Sequence, residues 1–67
     1  MHPSAILREA RQLRKVSDAL DSLAEQHPLV SDALIAISGN IRHTAVLLEV
    51  LVATKLGLTS RPDPADA

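Results

Sequence analysis

PLVSDALIAISGNIRHTAVLLEVLVATKL, residues 28–56, places Val30, Leu34, Ile37, Ile41, Thr44, Leu48 and Leu51 at alternating spacings of four and three. Such spacing keeps one stripe on one side of an α-helix, and it predicts a single second helix over about 28–56. Gly39-Asn40 opposes continuity, because glycine costs about 1 kcal/mol in a helix interior relative to alanine and Gly-Asn favours a turn. The seam nevertheless crosses that dipeptide without a change of phase. Pro28 suits a first helical position, where its missing N–H costs nothing, and it disfavours helical geometry at His27 before it. At the other end Gly57 fits the left-handed residue that closes a helix, with Leu58 packing back on the last turn.

On the N-terminal side, Ile6, Ala10, Leu13, Ser17, Leu20 and Ala24 recur at spacings of three and four, which predicts an amphipathic first helix over about 3–26. His2-Pro3 repeats the His27-Pro28 dipeptide, so both helices are expected to open alike. Beyond Leu58, Thr59 to Ala67 holds Pro62, Asp63, Pro64 and Asp66 and little that packs, and residues 59–67 read as a disordered C-terminal tail. Val16-Ser17-Asp18-Ala19-Leu20 reappears as Val30-Ser31-Asp32-Ala33-Leu34, but the two His-Pro dipeptides have a different offset, so no single duplication explains both.

Composition narrows the function. The 67 residues include no cysteine and no aromatic residue, which excludes disulfide frameworks, thiolate metal sites and base-stacking nucleic-acid platforms. A net charge of −1 implies no polyanionic partner by itself. The first helix lacks the uninterrupted apolar run of a secretory signal. The apolar stretch from Thr44 to Leu58 is short of the roughly 20 residues of a membrane span and carries Glu49 and Lys55. A cytoplasmic location and no membrane role are expected.

The fold class expected is all-α, a two-helix antiparallel hairpin. The second helix carries aliphatics beyond its seam, with Ile35, Ala36, Val46, Val50 and Ala53 leaving only a narrow polar strip at Arg42, His43 and Glu49. A helix apolar nearly all round is usually buried nearly all round, and one partner helix cannot cover it. The reading is a hairpin that dimerises into a four-helix bundle, or joins a larger assembly of such hairpins, with Leu34, Ile37, Ile41, Val46, Leu48, Val50 and Leu51 as the oligomer interface. Its partners are then a second copy of itself and, by an exposed face, another protein. The function expected is a small non-enzymatic helical oligomerisation or protein-interaction module.

The alternative is a nucleic-acid-associated regulator. Arg8, Arg11, Arg14 and Lys15 outweigh Glu9 in one short stretch, while Asp18, Asp21 and Glu25 follow it. Arg8, Arg11 and Lys15 form a candidate anion-binding patch that a dimer would present twice. The blander reading pairs Arg8 or Arg11 with Glu49 across the hairpin and Arg14 with Asp18 one turn on. His2, His27 and His43 lack metal-ligand spacing, so no metal and no cofactor is expected. Ser17 and Thr44 are expected to bond back to their own helices, and two helices offer no pocket for nucleophilic catalysis. Ser38, Gly39 and Asn40 are read as small residues permitting close helix crossing or fixing register.

Overall fold

The computed structural model describes residues 3–55. Helix α1 spans Pro3–Gln26 and helix α2 spans Ser31–Lys55, joined by a 3₁₀ turn over Pro28–Val30. The two helices pack on each other as an antiparallel hairpin, and all described structure is helical. Gly39 and Asn40 lie inside α2. The helix end expected at Leu56 to Leu58 and the tail expected over 59–67 lie outside the described residues.

The turn follows from its proline. His27 takes φ −132° and ψ 77°, outside the helical region that a following proline disfavours. Pro28 then opens a 3₁₀ turn in which the Val30 N–H donates to the His27 carbonyl at 3.1 Å, and the Ser31 N–H donates to the Pro28 carbonyl. The α-helix therefore begins at Ser31 rather than at Pro28, because the first residues after the chain reversal are wound more tightly.

The core is made of small side chains. Ala10, Ser17 and Ala24 are buried on α1, and Ser38, Ala45 and Val52 on α2. Each set recurs every seventh residue, the period at which two crossing helices keep one line of residues in contact. The α1 line is among the residues expected to face inward. On α2 the line is displaced: Leu34, Ile41 and Leu48 are only half-buried beside it, and Val30, Ile37, Thr44 and Leu51 are exposed. The expected seam of α2 is thus the flank of the contact, and the contact itself selects for small size.

Ser17 and Ser38 explain why. Their hydroxyl oxygens lie 2.7 Å apart, Ser17 Oγ donates to the Ser38 carbonyl at 3.1 Å, and Ser38 Oγ donates to the Ser17 carbonyl at 2.9 Å. Both residues are fully buried. A serine side chain that reaches the opposite backbone requires that backbone to be close, which leaves no room for a leucine at the crossing. Ser17 therefore bonds across the hairpin instead of back along its own helix; Thr44 does bond back, to the Asn40 carbonyl at 3.0 Å. Gly39 plays no part in the close approach. It is exposed, and a methyl group added to it meets nothing within 4 Å.

Two substitutions test this. Ser38→Leu overfills the crossing and should lower stability by about 3 kcal/mol, whereas Gly39→Ala, entering open space on a helix, should raise it by about 1 kcal/mol. Urea denaturation followed by circular dichroism measures both, and equal tolerance of the two changes would contradict the assignment.

Candidate interaction surface

The close crossing divides the hairpin into two unlike flanks. On one, Arg14 grips Glu49 with both ends of its guanidinium, Nε to Oε2 at 2.8 Å and Nη2 to Oε1 at 2.6 Å. Arg42 donates to Asp21 at 2.9 Å and, more weakly, to Asp18 at 3.4 Å. Arg14 thus takes the position opposite Glu49 that was expected of Arg8 or Arg11, and its own-helix neighbour Asp18 turns to Arg42 instead. The buried line of α1 decides this: Arg14 borders Ala10 and Ser17 and is half-buried, whereas Arg8 and Arg11 lie exposed on the outer side of the helix. Arg42 and Glu49, read in the sequence as an outer polar strip, are half-buried between the helices.

These contacts shift the carboxyls. The Arg14 guanidinium holds Glu49 below the usual carboxylate range, chiefly through its hydrogen bonds and also through its charge. Asp21 is likewise held low by the Ser38 hydroxyl and the Arg42 guanidinium. Of those two the guanidinium is the unencumbered donor, because the single Ser38 hydroxyl proton is engaged by the Ser17 carbonyl.

A shift of 28 residues, four heptads, carries α1 onto α2 and relates the flank to itself: Arg14 falls on Arg42 and Asp21 on Glu49. The inner faces are thus near-equivalent, while the outer faces differ in kind. Where α1 has Arg8, Asp18 and Ser22, α2 has Ala36, Val46 and Val50. Polar side chains at these positions on one helix are replaced by hydrocarbon on the other.

The second flank is aliphatic. Ile6, Leu13 and Leu20 of α1 and Leu34, Ile41 and Leu48 of α2 are half-buried along it. Outside them Val16, Leu23, Val30, Ile37 and Leu51 keep between 40% and 50% of their surface in solvent. Of the interface residues expected from the sequence, Leu34, Ile37, Ile41, Leu48 and Leu51 share this flank. Val46 and Val50 do not: they are exposed beside the ion-paired flank, with Ile35. Val16 and Leu23 of α1, which flank the α1 stripe in the sequence, extend the same face from Leu13 and Leu20. Leu29, at the tip of the turn, is fully exposed.

Arg8, Arg11 and Lys15 all lie exposed on α1. Among the described residues the ion pairs engage Arg14 and Arg42, and none engages these three. No group of three or more metal-ligating side chains occurs among the described residues. The helical stretch Pro28–Lys55 is long and apolar enough to cross a membrane, with mean hydropathy 1.4 over 18 residues, of which 17% are buried within the hairpin.

The depressed carboxyls give the ion pairs a pH signature. A carboxyl whose pKa is lower folded than unfolded stabilises the fold above the unfolded value, near pH 4, and ceases to do so as pH falls through the folded value. Thermal melts should therefore be flat from neutral pH to about pH 5 and fall below about pH 4. The Asp21→Asn/Glu49→Gln variant should lose much of that acid sensitivity; an unchanged acid profile would show that the pairs contribute nothing. No family model, curated protein or solved structure matches the chain.

Proposed function

We propose that this chain is a small cytoplasmic helical module, non-enzymatic, whose work is to associate with a second copy of itself and so form a four-helix bundle. The observation that carries the reading is the mismatch between core and surface. The contact between the helices buries alanines, serines and one valine, while ten leucines, isoleucines and valines stay exposed. Burial of large aliphatic side chains is the main source of folding free energy, at about 1.5–3 kcal/mol each. Here most of that source is still in water within one hairpin.

Coverage by protein accounts for the surface better than coverage by lipid does. Were α2 to cross a bilayer, Arg42 and Glu49 would enter hydrocarbon, and α1, with eight charged residues between Arg8 and Glu25, cannot accompany them. The serine contact and both ion-pair groups would be lost together. The aliphatic flank suits a second hairpin, and Val46, Val50 and Ile35 beside the ion pairs leave a further surface for a protein partner.

A second reading rests on Arg8, Arg11 and Lys15, three exposed cations one helical turn apart with no ion-pair partner among the described residues. It makes the module an attachment to nucleic acid. Retention on heparin that weakens steeply with salt and is lost with Arg11→Glu supports that reading, and flow-through at low salt refutes it.

Sedimentation of the purified chain at micromolar concentration should give the mass of two chains. Ile37→Glu and Leu51→Glu, both on the aliphatic flank, should shift the equilibrium toward monomer by 100-fold or more, about 3 kcal/mol. A folded monomer, or assembly into detergent or vesicles only, would overturn the reading.

A further inference from the structure

The aliphatic flank is interrupted by polar side chains at one level, and that level fixes how two copies meet. On α1 the exposed edge of the flank runs through Glu9, Val16 and Leu23; on α2 it runs through Val30, Ile37, Thr44 and Leu51. The hairpin register places Ser17 level with Ser38. Counting outward from that pair, seven residues back on α1 and seven forward on α2, Ala10 is level with Ala45, so Glu9 and Thr44 stand at nearly the same height. Among the described residues the face therefore has one polar level, with hydrocarbon on either side of it.

Two arrangements put this flank against its own copy with all neighbouring helices antiparallel. With the twofold axis across the helices, α1 lies on α1 and α2 on α2; at full overlap the polar level of each copy meets Leu20 and Ile37 of the other, and an axis moved to the polar level sets Glu9 against Glu9. With the axis parallel to the helices, every residue keeps its height. Each α1 then lies on α2 of the second copy in the register the hairpin already uses. Glu9 meets Thr44, Leu13 meets Ile41, Val16 meets Ile37, Leu20 meets Leu34 and Leu23 meets Val30. Only this second arrangement sets the carboxylate opposite a hydroxyl and hydrocarbon opposite hydrocarbon.

We infer that two hairpins pair about a twofold axis parallel to their helices, each α1 packing on α2 of the second copy, with Glu9 and Thr44 as the polar layer that fixes register. The occupant of the flank is thus a second copy of this chain. Val16, Leu23, Val30, Ile37 and Leu51 each keep 40–50% of their surface in solvent with six half-buried aliphatics beside them, so the flank offers a continuous apolar face that the same face of a second copy can cover. A polar layer in an apolar seam is a known means of fixing register, since any other alignment buries the carboxylate against a leucine. This inference rests on the self-association proposed above and adds its geometry.

The absence of cysteine makes the test direct. Chains carrying Val16→Cys and chains carrying Ile37→Cys are mixed, allowed to exchange, and oxidised mildly. The account predicts a disulfide-linked heterodimer in the mixture and little product from either chain alone. Strong crosslinking of the Val16→Cys chain by itself places α1 on α1 and overturns the arrangement. So does a mixture that stays unlinked while sedimentation shows dimers. If the unsubstituted chain sediments as a monomer, the self-association itself fails, and the two failures are told apart by that one measurement.

Discussion

The structure depends on how near the two helix backbones come at Ser17 and Ser38. Each hydroxyl reaches the other helix's carbonyl, at 3.1 and 2.9 Å, and the pair is sealed from water. A buried hydroxyl without a partner costs on the order of 1–3 kcal/mol, so the reciprocal bonding is what makes serine tolerable there. Once the crossing is that close, the residues a heptad away must be small as well. Ala10, Ala24 and Ala45 follow from the same geometry, and among the described residues Val52 is the largest side chain fully buried.

Close crossing has a consequence for everything larger. Leucines and isoleucines do not lie between the helices; Leu13, Leu20, Leu34, Ile41 and Leu48 line one flank, while the other is closed by Arg14–Glu49 and Arg42–Asp21. Those pairs are partly exposed, and exposed pairs are worth little individually. Their value lies in direction: they make one flank polar and leave the other as the face on which hydrocarbon remains to be covered. A hairpin built this way has an ordered register and a thin core. The proposed assembly supplies the burial that the crossing denies.

Much of the architecture was legible in the sequence. The Ile6-to-Ala24 stripe marked α1 and its inward face, and His27-Pro28 marked the reversal. The seam through Gly39-Asn40 pointed to one helix where local propensity argued for two. What misled was the equation of apolar with inward. On α2 the aliphatic line through Val30, Ile37 and Leu51 is the conspicuous pattern, but the crossing selected the Ser38, Ala45 and Val52 line beside it, a choice made by volume rather than hydrophobicity. The partner of Glu49 was misjudged for a related reason. Arg8, Arg11 and Arg14 are alike in charge, and what picks out Arg14 is the face it occupies, half-buried at the edge of the Ala10 and Ser17 line while the other two are exposed. A signal was present all the same: Arg14 and Asp21 recur 28 residues on as Arg42 and Glu49, a spacing of whole heptads that predicts two reciprocal ion pairs.

The central claim is that a core this small does not hold the hairpin by itself and that a second copy completes it. Folding coupled to association makes stability depend on protein concentration, whereas folding of an independent monomer does not. Thermal unfolding followed by circular dichroism over a 100-fold range of concentration tests this directly. The account predicts a midpoint that climbs steadily with concentration; a midpoint that stays fixed across the range would contradict it.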